Sequence, residues 1–551
     1  MKELASWKMF SGLRSFATRE WPFSILFCFF FISLVYWVYL DRTVPVWDSA
    51  SHLIRTYELN DVLSSHGSFD KKLLAILTCG HRYPPLFNWV HYLFLVSPIK
   101  PTVVDQLPRF VFFAIGIISL YKLGCQLFND RAVGLAATAI FFALPLVCVV
   151  SHTRGLIDMP LASMCFLALW LVARYAAVPS LTNSLVAGCA IGLACLTKQL
   201  GAVYLAPAIC LVLIRRLLAR DFGHAIQFSI GLGIAAIMLL AWLTPSLPVI
   251  KENISVWERD FASTPGTAPD LLTNLIAHIR GTIYCISVPV SILSVLSIFN
   301  FQAQRKLLLP AGTVFGLLFL CTLRWWPIEA RYLLPFVGYL ALSSAALLVR
   351  MWRSRWHFLK LVDITFAIYL LTIFFLFNFT PYPFARAGAL AMIDMGTNGL
   401  GCCKEGVFPA CPCPSEPLAY NWLLDQILSK HQNRSPVIVI AGSWWYFQAM
   451  PVLYLARQRG TQVQFGPILR QGITGLTQCT PDSVLLSPDW YVTLENSDEF
   501  ERISFSSEQD RKNFYQLKAH FESPSDFTRV GAFELPDSKG SMVLYRARYP
   551  K

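Results

Sequence analysis

The residues of this chain that could do chemistry recur at one end of its apolar segments. Asp48 stands in VPVWDSASHLIRTYEL, eight residues past the first long apolar run. A helix over 48–60 would put Asp48 and His52 on one face at i and i+4, with Arg55 three residues further on. Arg82 and Tyr83 occur in HRYPPLFNW, Asp158 in SHTRGLIDMP behind His152 and Arg154, and Lys198 in LACLTKQLG. Arg280 and then Arg324, Glu329, Arg331 and Tyr332 in RWWPIEARYLLP come later in the chain. Taken singly, each has a plainer reading: Asp48 as a helix cap, the cations as interfacial side chains that snorkel. Five connections presenting such groups on one side point to shared work. Lys, Arg and Tyr groups converging on one place suit an anionic phosphate. A carboxylate among them suits a general base.

Something must hold these groups at a common level, and composition says what. Of 551 residues, 55% are hydrophobic and only 14% charged, whereas a soluble domain carries about a quarter charged residues. Runs such as 23–40 and 361–379 have the length, about 20 residues, at which a helix crosses a bilayer. Only helices or closed barrels satisfy the backbone there, and these runs are too long and too uniformly apolar for barrel strands. Eleven spans are predicted: 21–40, 106–122, 132–150, 158–176, 183–198, 200–215, 225–244, 283–299, 307–323, 332–349 and 361–379. The first run lies behind Lys2, Lys8, Arg14 and Arg19, but its length and bulky flank predict an uncleaved helix rather than a signal peptide.

With the N-terminus in the cytoplasm, every short cytoplasmic connection holds Lys or Arg. They are Lys122 and Arg131; Arg174; Arg215, Arg216 and Arg220; Arg305 and Lys306; and Arg350, Arg353, Arg355 and Lys360. The net charge of +13 is explained by this pattern, so nucleic acid is not an expected partner. The odd span count puts the C-terminus outside. The expected organisation is a membrane domain over 1–380, with outer loops 41–105 and 245–282, and a soluble extracytoplasmic α/β domain over 381–551. In the tail, 435–443, 482–488 and 540–548 read as strands and 444–459 as a helix.

Cys402, Cys403, Cys411 and Cys413 do not match paired zinc-ligand spacings and, outside the cytoplasm, suit disulfides whose connectivity stays open. The other cysteines read as packing residues in helices. Trp444, Trp445 and Tyr446 could touch a sugar or simply pack. No cofactor is firmly implied; His52, His81 and His152 leave a divalent metal open, without a strong ligand spacing.

WDSASH, RYPPLFNW, LIDMPLA, LACLTKQLG and EARYLLP occur in that order over roughly residues 20–350. This ordered set resembles the glycosyltransferase superfamily of the GT-C membrane fold that includes the protein O-mannosyltransferases and the aminoarabinose transferase acting on lipid A. The resemblance implies that Asp48 is the catalytic base, that Asp158 flanks the site, that Lys198 lies near the donor phosphate, and that Arg331 and Tyr332 form the late pair beside the donor. Tyr83, Pro84 and Pro85 match the loop motif, although the lysine common before the prolines is Tyr83 here, leaving Arg82 as the nearest cation. The acidic residue that commonly follows the first aspartate is Ser49.

The function implied is transfer of a monosaccharide from a polyprenyl-phosphate sugar to a lipid, glycan or protein acceptor, with inversion. The expected catalytic residues are Asp48 and Asp158. Lys198, Arg331, Tyr332, Arg82, Tyr83, His52, Arg55 and Arg280 are expected to bind donor phosphate or substrate. The expected setting is a bacterial inner membrane with a periplasmic site. A transporter or lipid flippase is the alternative, but it would place its charges at the bilayer midplane, commonly between repeats, and no repeat is visible here. A receptor whose working part is the tail would leave the lip charges unexplained.

Overall fold

The structure is a computed structural model that describes residues 2–40, 44–45, 47–80, 82–152, 154–262, 287–298, 330–379, 416–430, 436–440, 449–465, 489–495, 519, 522–534 and 541–548. Its N-terminal part is helical: α1 (Lys2–Leu40), α2 (Trp47–Ser64), α3 (Phe69–Thr78), α4 (Leu86–Leu95), α5 (Pro101–Val104) and α6 (Leu107–Phe128). Next are α7 (Arg131–Ala143), α8 (Pro145–His152), α9 (Asp158–Ala177), α10 (Leu181–Thr197), α11 (Leu200–Leu218) and α12 (Phe222–Ala262). After these come α13 (Val288–Ile298), a 3-10 turn (Ala330–Leu333), α14 (Leu334–Trp352) and α15 (His357–Phe379).

Among the described residues, seven helical stretches are long and apolar enough to cross a membrane: Glu20–Tyr39, Pro101–Phe128, Asp158–Ala177, Leu200–Leu218, Phe222–Glu252, Arg331–Trp352 and His357–Phe375. Side chains such as Ile237, Leu240, Ile368 and Leu371 are exposed on them, which suits lipid rather than water. The expected spans 183–198 and 283–299 fall on the shorter helices α10 and α13, and 307–323 lies outside the described residues. The expected span 132–150 is corrected: it is two helices, α7 and α8. Leu144 adopts an extended φ of −69° and ψ of 140°, because Pro145 disfavours the helical region for the residue before it. A second difference concerns 245–282. Pro245 and Pro248 do not end α12, which continues to Ala262.

The core of this part is built from α6, α7, α9, α10 and α14. Small residues let the backbones close up. A side chain on Gly188 of α10 would stand 2.0 Å from the Gly231 carbonyl of α12, so that crossing requires glycine. Aromatic side chains fill the interior of the bundle, with Phe112, Phe141, Phe142, Phe166 and Phe336 fully buried.

The C-terminal part holds α16 (Glu416–Leu428), β1 (Val437–Ile440), α17 (Ala449–Gln458), β2 (Gln464–Phe465), β3 (Trp490–Glu495), β4 (Phe527–Glu534) and β5 (Ser541–Ala547). These strands form one sheet in the order β2-β1-β3-β5-β4. The β1 pairings with β2 and β3 are parallel, and the β3–β5 and β4–β5 pairings are antiparallel. Strands β1 and β5 fall on the expected 435–443 and 540–548. The expected strand at 482–488, Cys402, Cys403, Cys411, Cys413 and Trp444–Tyr446 lie outside the described residues.

Candidate active site

Five segments meet at one level and turn their polar residues inward. Asp48 lies in the first turn of α2. Arg82 and Tyr83 lie in the turn before α4. Asp158 opens α9, where a carboxylate faces the positive end of the helix dipole. Lys198 caps the C-terminus of α10 in extended conformation, φ −158° and ψ 141°, and α11 restarts at Leu200. Arg331 sits in the 3-10 turn before α14. Gly155 makes the approach possible. It adopts φ +75°, and a side chain there would stand 2.3 Å from the Ser49 carbonyl oxygen. The loop leading to Asp158 thus rests directly on the turn that carries Asp48.

The charges interlock. Asp48 Oδ2 accepts from Arg331 Nη2 at 2.8 Å, and Asp48 Oδ1 from Arg82 Nη2 at 3.2 Å. Asp158 Oδ1 accepts from Lys198 Nζ at 2.8 Å, and Asp158 Oδ2 lies 3.6 Å from Arg331 Nη1. Arg331 therefore bridges the two carboxylates. Their exposures differ: the Asp48 side chain is 23% exposed and that of Asp158 only 1%. Asp48 can meet a substrate, whereas Asp158 is walled in by its cations. Two tyrosines back the cations. Lys198 Nζ lies 4.1 Å from the Tyr332 ring centroid and 5.8 Å from that of Tyr83, within cation–π range.

Electrostatics follows from this packing. Burial raises the Asp48 carboxyl, but Arg331, Arg82 and Lys198 outweigh it and hold it well below the usual carboxylate range. Asp48 is thus an anion at any physiological pH. Burial lowers the His52 imidazole to about 4, against the opposite pull of Asp48, so His52 is neutral near pH 7. Its ring packs 4.9 Å from that of Tyr83, centroid to centroid, and its carbonyl accepts from Asn88 Nδ2 at 2.8 Å.

The structure therefore brings together Asp48, Arg82, Tyr83, Asp158, Lys198, Arg331 and Tyr332, with His52 alongside. Arg55 is turned elsewhere: its Nη1 pairs with Glu58 at 2.8 Å along the same helix, because position i+3 is the nearer carboxylate. Arg280, Arg324, Glu329, His81 and the His152 side chain lie outside the described residues. Among the described residues, no group of three or more His, Cys, Asp or Glu gathers. Sequence reasoning missed three supporting residues. Gln199 Nε2 donates to the Arg82 carbonyl at 2.6 Å, Tyr204 donates to the Tyr332 carbonyl, and Gly155 makes the close contact. Gln199 lies within LACLTKQLG and Gly155 within SHTRGLIDMP, but neither residue type signals a site by itself.

Comparisons with known proteins bear on the fold. A family model described as dolichyl-phosphate-mannose-protein mannosyltransferase matches residues 82–244, a stretch that includes Arg82, Tyr83, Asp158 and Lys198. Two solved structures of ArnT from Cupriavidus metallidurans superpose over almost the whole chain. The one bound to undecaprenyl phosphate has a TM-score of 0.53 at 14% identity, covering 95% of this chain and 97% of that one. The apo structure also has a TM-score of 0.53, at 16% identity, covering 96% and 98%. A search of curated proteins finds no match. The chain is thus a multi-pass membrane protein with the GT-C glycosyltransferase fold. Within that fold it resembles ArnT and the protein O-mannosyltransferases.

Proposed function

We propose that this chain transfers a monosaccharide from a polyprenyl-phosphate sugar to a hydroxyl of a lipid, glycan or protein acceptor, with inversion at the anomeric carbon. The observation that carries this reading is Arg331 bridging Asp48 and Asp158 beside Lys198 and Arg82. Undecaprenyl phosphate bound to ArnT, a protein of the same fold, supports a donor of that class. Asp48 takes the proton of the acceptor hydroxyl while its oxygen attacks the anomeric carbon. The bond from that carbon to the phosphate oxygen breaks, and polyprenyl phosphate leaves. Lys198, Arg331 and Arg82 face the charge that develops on the leaving phosphate. Asp158 holds Lys198 and Arg331 in place.

The same reading takes residues 1–380 as the catalytic membrane domain and 381–551 as an α/β domain on the side of the site. It places that side in the periplasm of a bacterial inner membrane, with the N-terminus in the cytoplasm. A transporter or flippase is the competing class, and the two part on whether a product forms. The test is transfer of radiolabel from polyprenyl-phosphate sugars to acceptor lipids in detergent. Asp48→Asn should lower turnover by about 10²–10⁴-fold, the range for a lost general base, with donor binding retained. Near-normal turnover in Asp48→Asn would remove Asp48 as the base, and movement of lipid without any transfer would favour the flippase.

A further inference from the structure

A second buried polar cluster lies at the far end of the Asp48 helix. Its centre is Asp105, between α5 and α6, with no exposed side-chain surface. Three elements send groups to it. His91 Nε2 of α4 lies 2.8 Å from Oδ1. The Tyr57 hydroxyl of α2 donates to Oδ1 at 3.0 Å. The third comes from the C-terminal part: the Tyr454 hydroxyl of α17 donates to Oδ2, and Gln458 Nε2 approaches the same oxygen at 3.3 Å. At the rim, Arg457 Nη1 pairs with Asp61 of α2 at 2.7 Å. Tyr454 also faces Arg154, four residues before Asp158. It is 1% exposed, so its hydroxyl is committed to these partners.

We infer that α17 holds the Asp48 helix in register, with Tyr454 as a positioning residue for the transfer proposed above. Tyr57 lies nine residues beyond Asp48, about 14 Å along a helix axis. Between them, Asn88 Nδ2 fixes the middle of α2 through the His52 carbonyl and the Thr56 hydroxyl, at 2.8 and 3.0 Å. The helix is thus gripped at its middle by α4 and at its far end by α17, and its first turn presents Asp48 to Arg82 and Arg331. The loop that supplies Asp158 meets the same Tyr454 through Arg154. One hydroxyl from the C-terminal part thereby ties together the segments carrying both carboxylates. A misplacement of about 1 Å at reacting groups can lower a rate about 10²-fold, so this grip acts on turnover, although Tyr454 itself touches no reacting atom.

The inference rests on the transferase reading, and its test separates the two. Tyr454→Phe is made in the full chain, in detergent, and kcat, KM for a polyprenyl-phosphate sugar and the folded fraction are measured. Backbone hydrogen exchange over residues 47–57 is measured in parallel. The expected result is a kcat about tenfold lower per folded molecule, a KM for the donor unchanged within about twofold, and faster exchange across α2. Gln458→Ala, which removes the 3.3 Å contact with Asp105 and the 3.0 Å hydrogen bond to the Tyr454 hydroxyl but leaves Tyr454 on Asp105, should move the same readouts less and serves if Tyr454→Phe does not fold. Unchanged kcat per folded molecule, with only stability reduced, would make α17 a passive tether and overturn the inference. A KM that rises with intact kcat would overturn it too, by placing Tyr454 at the donor. If the unmodified protein transfers no sugar, the transferase reading fails instead. Hydrogen exchange then decides the grip alone, and unchanged exchange over 47–57 refutes it.

Discussion

Replacing Asp158 by Asn tests the logic of the site most directly. The side chain is 1% exposed and receives Lys198, 6% exposed, at 2.8 Å and Arg331 at 3.6 Å. Asparagine keeps the shape and one oxygen but cancels the charge. Lys198 then loses the carboxylate it contacts and must either hold its charge in a buried site or give up its proton, each at a cost. Arg331 keeps Asp48 at 2.8 Å, so the loss falls mainly on the lysine. Breaking a buried pair by removing one partner costs about 3–5 kcal/mol, and solvent screening does not reduce the figure at this exposure. The lower end, about 3 kcal/mol, is expected here because Arg331 stays paired. The assay is unfolding free energy in detergent micelles for the unmodified chain, Asp158→Asn, Lys198→Met and the double variant. Removing both charges leaves no orphan, so the double variant should be more stable than the sum of single losses by about 1–3 kcal/mol. It should still lack activity, since the proposed transfer needs Lys198 at the phosphate. Additivity of the two single losses within about 0.5 kcal/mol would refute a shared ion pair and with it the role given to Asp158.

Two further outcomes rest on the same geometry. His52 titrates near 4 when folded against an ordinary 6.5, so between these values the unfolded chain binds the extra proton; the stability involved is complete above about pH 6.5 and declines as pH falls toward 4. His52→Asn should flatten the fall of the unfolding midpoint across that window, and an unchanged slope would contradict the burial of a neutral imidazole. Gly155→Ala must force a side chain to within 2.3 Å of the Ser49 carbonyl at φ +75°; it should destabilise the fold by at least about 1–2 kcal/mol and depress turnover through Asp48. Normal turnover in Gly155→Ala would mean that the two segments do not bear on each other.

The legible part of this protein is the part written in local contrast. Lys198 and Asp158 stand out because each interrupts an apolar stretch, where an ionisable group is costly. Spacing alone puts Asp48 and His52 on one helix face, and α2 has that form. The illegible part depends on partners distant in sequence or on competition between near ones. Arg55 could face either way, and Glu58 at i+3 claims it. Pro145 splits α7 from α8, whereas Pro245 and Pro248 leave α12 continuous; the residue type is the same, and only packing separates the outcomes. Strand β3 (Trp490–Glu495), central in the sheet, is rich in aromatic and β-branched residues, but the strand expected from sequence falls on the neighbouring 482–488 instead. Tyr454 meets Asp105 across 349 positions, a separation at which no local pattern operates.

If the chain carries out the transfer proposed above, the charge tally around Arg331 bears on product release. Three cations, Arg82, Lys198 and Arg331, stand against two carboxylates, which leaves one positive charge over among these five groups. A phosphodiester-linked sugar brings one negative charge and neutralises the pocket. Once the sugar has gone, the lipid phosphate is a monoester carrying about 1.5–2 negative charges near pH 7. Under the proposed transfer the spent carrier would therefore be held more tightly than the loaded one, and its departure, rather than bond making, is the step that a mildly acidic medium should hasten.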